Sequence, residues 1–130
     1  MKVPLLTLDK PNKNGRIYPR EVWEKAVAKY KEEFIDMNRS IVTNKIPESA
    51  AVNLEDTVGI VTEIKTEGDT AFANVEFFPK MTGAQMAETG LKSGYLSLRT
   101  HGIGSIKKQE DGTYVIGEDY ELISCFLTNE

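Results

Sequence analysis

Asn12-Lys13-Asn14-Gly15-Arg16-Ile17-Tyr18-Pro19-Arg20-Glu21-Val22-Trp23-Glu24-Lys25-Ala26-Val27 is a polar loop that runs into a proline and then straight into an amphipathic helix. A proline suits the first helical turn because its missing N–H would have no partner there anyway. Glu21 and Glu24 lie near the positive end of the helix dipole, which favours carboxylates. Val22, Ala26, Tyr30 and Phe34 recur every fourth residue, with Trp23 and Val27 beside them, so one apolar stripe faces a core.

Outward from this stretch, periodicity predicts a strand over Val3 to Leu8 and a helix from Pro19 to about Phe34 or Met37. A short strand is expected over Ser40 to Asn44, then an irregular loop over Lys45 to Asp56, which holds Pro47, Ser49 and Asn53. Thr57 to Lys65 and Thr70 to Phe78 form a predicted hairpin around Glu67-Gly68-Asp69, the second arm alternating as a half-buried strand does. Thr82 is the expected cap of a helix through Leu91, with Ala84, Ala87 and Leu91 on one face and Met86 nearby. Strands over Tyr95 to Thr100, Gly104 to Lys108 and Thr113 to Ile116 follow, the last two joined through Asp111-Gly112. Tyr120 to Thr128 is the closing strand. The order predicts an α+β fold, a mainly antiparallel sheet or barrel with two flanking helices, as one domain over residues 1–130.

With 130 residues, 40% of them hydrophobic, the chain can bury a real core. A net charge of −4 argues against a nucleic-acid-binding module, which usually carries a basic excess. No apolar run is long enough to span a bilayer, and no charged-then-apolar leader opens the chain. The single cysteine, Cys125, sits among Ile123, Phe126 and Leu127 and reads as a buried, inert thiol. One histidine and one cysteine cannot supply the usual structural zinc set, and neither Glu55-Asp56 nor Glu32-Glu33 has metal-site spacing. Neither a metal nor another cofactor is expected. Gly102-Ile103-Gly104 lacks a following helix start, so a tight turn between strands explains it better than a phosphate cradle.

Four landmarks occur in a fixed order. They are the Asn-x-Asn-x-Arg-x-Tyr-Pro loop with its helix, Val52-Asn53 before Val58-Gly59-Ile60-Val61, Ser97-Leu98-Arg99 with Gly102-Ile103-Gly104-Ser105, and the strand Leu122 to Asn129. In this order the chain resembles the prohead core proteases of tailed bacteriophages, serine proteases related in fold to the herpesvirus assembly protease. The resemblance implies a serine nucleophile and a histidine base from a His-Pro pair after the first helix. The corresponding residues are Lys45-Ile46-Pro47, and isoleucine cannot accept a proton. The family's Ser-Ser-Arg-Gly strand keeps Ser97 and Arg99, while Leu98 replaces the second serine. The aspartate of the last strand appears as Cys125.

Two substitute bases are open. His101, the only histidine, lies four residues beyond Ser97, roughly 13 Å along a continuous strand, and reads more simply as a turn residue. Lys45 would need its ammonium neutralised by burial. The expectation from sequence is therefore a pseudoprotease in which Ser97 and Arg99 are vestigial. Its partners would be phage capsid or scaffold proteins or further copies of itself, in the virion or the host cytoplasm. Arg99 reads equally well as a loop-holding residue or a surface ion pair. A different expectation keeps the old cleft as a pocket for an anionic small molecule, contacted by Arg16, Arg99 and His101. The positive charge of Lys10, Lys13, Arg16 and Arg20 would suit an acidic partner or a phosphate-bearing ligand, or simply be solvated. A third keeps protease activity with Ser97 and an unconventional base.

Overall fold

The structure, a computed structural model, describes residues 1–48 and 54–129. Val52-Asn53 and the terminal Glu130 therefore lie outside the described residues. The strands are β1 (Lys2–Thr7), β2 (Arg16–Ile17), β3 (Ile41–Thr43), β4 (Thr57–Glu67), β5 (Thr70–Phe77), β6 (Ser97–Ile103), β7 (Ile106–Lys108), β8 (Tyr114–Ile116) and β9 (Glu121–Thr128). The helices are α1 (Arg20–Tyr30), which continues as a π-helical turn over Lys31–Ile35, and α2 (Ala84–Lys92). A 3-10 turn covers Leu54–Asp56.

Six strands form one sheet in the order β1-β5-β4-β3-β9-β6, and β2-β8-β7 form a smaller one. The large sheet is antiparallel except where β3 runs parallel to β9, and its two end strands, β1 and β6, come into contact as it curls. This is the α+β architecture expected from the order of elements. Val42, Val58, Val61 and Leu98, all at most 1% exposed, fill the core from three of these strands.

The opening motif is a set of backbone locks. Asn12 Oδ1 accepts the N–H groups of Asn14 (2.9 Å) and Arg16 (3.0 Å), while the N–H of Asn12 donates to the Arg16 carbonyl at 2.9 Å. Gly15, at φ +74°, closes the turn in the left-handed region that glycine enters without steric cost. Pro19 is extended (φ −62°, ψ 140°) and stands before the helix rather than in its first turn. The helix begins at Arg20, whose N–H donates to Asp9 Oδ1 at 2.9 Å, so a carboxylate eleven residues upstream serves as the cap. The buried stripe is Trp23, Ala26 and Tyr30, with Val22, Val27 and Phe34 packed at its margin.

Three further expectations change. Thr82 does not cap α2; Gly83 does, at φ +85°, a conformation disfavoured for threonine. Met86 points to solvent at 77% exposure; the inward face of α2 is Ala84, Ala87 and Gly90, with Leu91 packed at its margin as expected. Gly102-Ile103-Gly104 is not simply a turn, since β6 continues through Ile103. The Tyr120 ring packs so closely over Gly102 that a Cβ there would lie 2.6 Å from its Cζ. A Cβ on Gly104 would lie 2.8 Å from the Tyr120 Cα. Close approach, not turning, requires these glycines. Among the described residues no helix is long and apolar enough to cross a membrane.

Candidate active site

The paired strands β6 and β9 sort the residues of interest by alternation. Ser97 pairs with Thr128, Leu98 with Leu127, Arg99 with Phe126, Thr100 with Cys125 and His101 with Ser124. Directly paired residues project to the same side of a sheet, and successive residues to opposite sides. Leu98, Cys125 and Leu127 therefore share the core side, where all are at most 3% exposed. Ser97, Arg99 and His101 share the other side with Ser124, Phe126 and Thr128, and the first three are half-buried.

His101 is thus a strand residue, not the turn residue expected from sequence. Ser97 and His101 lie on one face but four residues apart, which is roughly 13 Å along an extended strand. The hydroxyl beside His101 is a different one. Ser124 Oγ lies 3.4 Å from His101 Nδ1 across the ladder. Partial burial lowers the His101 pKa below the ordinary imidazole value, so near neutral pH the ring is uncharged and can accept a proton. Ser124 itself is only 1% exposed. Nothing in the sequence singled it out, because only the cross-strand register, Ser97 to His101 against Thr128 to Ser124, brings it to His101.

Position 46 lies three residues beyond β3. Parallel pairing of Val42 with Cys125 and Thr43 with Phe126 directs the end of β3 toward the Ser97 end of β6. Two strand spacings, about 10 Å, separate β3 from β6. Ile46 is 64% exposed. The residue before it is held locally: Thr43 Oγ1 donates to the Lys45 carbonyl at 2.8 Å, and Lys45 Nζ lies 3.6 Å from Asp56 Oδ2. Among the described residues no contact joins Lys45 to Ser97.

The remaining predicted residues fall in different places. Arg99 lies on the same side of β6 as Ser97 and His101, between them and opposite Phe126. Arg16 belongs to the smaller sheet, so the set Arg16, Arg99 and His101 is divided between two sheets. Cys125 is fully buried, and burial pushes its thiol up to about 12, which leaves no thiolate for nucleophilic work. Among the described residues no group of His, Cys, Asp and Glu side chains could hold a metal ion.

The opening motif reaches this site through aromatic packing. Tyr18 stands edge-on to Trp23 (centroids 6.2 Å apart) and to Tyr120 (5.6 Å), and Tyr120 covers Gly102 next to His101. The loop and helix entry therefore support the strand that carries the candidate residues.

The prohead core protein serine protease family profile matches residues 5–126. The bacteriophage T4 capsid assembly protease, gp21, has the same fold. It superposes with a TM-score of 0.85 at 19% identity, covering 97% of this chain and 80% of that one. No curated protein matches. These matches overturn the pseudoprotease expectation. The family is one of serine proteases, and the isoleucine at position 46 does not establish loss of activity in a chain whose histidine stands elsewhere beside a serine. Matched over nearly its whole length, the chain belongs to the family of prohead core protein serine proteases.

Proposed function

We propose that this protein is a serine peptidase of phage head assembly, with its chemistry on the Ser124 side of the β6–β9 ladder and His101 as the proton acceptor. The single observation behind this reading is the 3.4 Å approach of His101 Nδ1 to Ser124 Oγ, with the imidazole kept uncharged by its surroundings. An uncharged imidazole within reach of a hydroxyl is the minimum a serine needs to attack a carbonyl. Hydrogen bonds of this kind are often long before substrate binds and shorten in the complex. Ser124 Oγ would attack the peptide carbonyl while its proton passes to His101. The same imidazole would then protonate the leaving amine, and water would hydrolyse the acyl-serine. Ser124 is only 1% exposed, so reaction requires a local opening over the Ser124–His101 pair that admits the substrate carbonyl while β6 and β9 stay paired. Its substrates would be capsid or scaffold polypeptides, met in the host cytoplasm or in the assembling particle.

The test is covalent labelling with a fluorophosphonate, with the modified serine located by mass spectrometry. Label is expected on Ser124, lost in Ser124→Ala and His101→Ala and retained in Ser97→Ala and Lys45→Ala. Label on Ser97 that survives His101→Ala would overturn the assignment of the base. A folded chain with no labelled serine would overturn the peptidase reading.

A further inference from the structure

The smaller sheet plays no part in that reaction. Tyr114 pairs with Arg16 on one side and with Lys108 on the other, so the three form one row across β2, β8 and β7. Residues in such a row project to one face, and two strand spacings set Arg16 and Lys108 about 10 Å apart. Both cations are exposed, and Tyr114 is half-buried between them.

Elsewhere on the chain basic side chains are commonly paired, as Lys2 is with Glu67, Lys10 with Asp69 and Lys29 with Glu121. Among the described residues Arg16 and Lys108 have no ion pair, and neither do Lys13 and Lys107 beside them. The hairpin turn joining β7 to β8 contributes Glu110 and Asp111. The Asp111 carboxylate is already engaged by the N–H (3.0 Å) and hydroxyl (2.6 Å) of Thr113. A chain of net charge −4 thus presents an uncompensated positive row with an aromatic ring at its centre.

We propose that this row docks an extended acidic segment of a partner polypeptide. Two carboxylates four residues apart in an extended chain project to one face about 13 Å apart, a span that the long Arg16 and Lys108 side chains reach from backbone positions about 10 Å apart. The intervening apolar side chain would rest on the Tyr114 ring, which offers contact area at little cost in conformational entropy. Nucleic acid fits less well, because a phosphate backbone is followed by a long run of cations rather than by two on an acidic protein. The surface is separate from the β6–β9 face, and docking there does not depend on the peptidase reading.

The test is fluorescence anisotropy with a labelled peptide bearing glutamates four residues apart, compared with its glutamine counterpart and with a single-stranded oligothymidine. The glutamate peptide is expected to bind, to weaken as salt is raised, and to lose about tenfold in affinity with either Arg16→Gln or Lys108→Gln. Lys65→Gln, an exposed change on the large sheet, should leave binding as it was. The proposal is overturned if the glutamine peptide binds equally well, if both variants keep full affinity, or if the oligothymidine binds more tightly than the glutamate peptide. The readout is binding of an intact peptide, so its failure leaves the serine reaction untouched.

Discussion

The loop and helix entry from Asn12 to Trp23 and the segment after β3 both carry motifs of the family, but they are built on different physics. In the first, each distinctive residue meets a need of the fold. Asn12 satisfies two backbone N–H groups, Gly15 takes a left-handed turn, and Trp23 is fully buried. In the second, Thr43 and Lys45 are held by local contacts, while Ile46 projects into solvent and fills no part of the core. A substitution at Asn12 or Trp23 would be felt by the whole domain, whereas the fold places little demand on position 46. Motifs kept for packing and motifs kept for chemistry therefore carry separate information. Neither the presence of the first nor the isoleucine in the second reports activity.

Substitutions can break or sharpen this contrast. Trp23→Ala should be the most damaging, costing about 3–5 kcal/mol in urea denaturation by emptying the space between α1 and the sheet. A loss below 1 kcal/mol would remove the packing explanation of the opening motif. Gly59→Ala comes next, at about 1–3 kcal/mol, because its Cβ would fall on the Glu76 carbonyl oxygen and lie 3.1 Å from the Phe77 Cα. Asn12→Ala should cost about 1 kcal/mol, since two loop N–H groups lose their acceptor and turn to water. Ile46→Ala should change stability by no more than about 0.5 kcal/mol, as an exposed side chain away from caps and core does.

A pH titration sharpens the contrast from the site's side. His101 has a folded-state pKa below its unfolded value, so between the two the unfolded chain binds more protons. Its contribution to stability is complete above the unfolded value and is lost as pH falls through that window. Fluorophosphonate labelling should decline over the same range as the imidazole charges. His101→Gln should abolish that part of the stability profile. A profile identical in the variant would show that the ring is not the titrating group.

Much of the architecture was legible in local pattern. The alternation of Thr70 to Phe77, the apolar stripe around Trp23 and the turn at Gly68 each follow from spacing within a few residues. What escaped were contacts between residues far apart in sequence. Asp9 caps a helix that begins eleven residues later, and Tyr120 presses on Gly102, so these glycines answer to a distant ring rather than to a turn. Gly83 displaced Thr82 as the cap of α2 because the backbone enters that helix at positive φ, which spacing does not reveal.

The sequence by itself determined both helices and the strands other than β2, the side of α1 that faces inward, and the order of landmarks that ties the chain to prohead proteases. Such features depend on side-chain periodicity and on motifs read along the chain. Tertiary structure alone decided that His101 stands beside Ser124 and not Ser97, and that Arg16 joins Tyr114 and Lys108 rather than Arg99. The reason is register. Pairing of Ser97 through His101 with Thr128 through Ser124 decides which hydroxyl meets the imidazole, and register is set by cross-strand pairing rather than by neighbours in sequence.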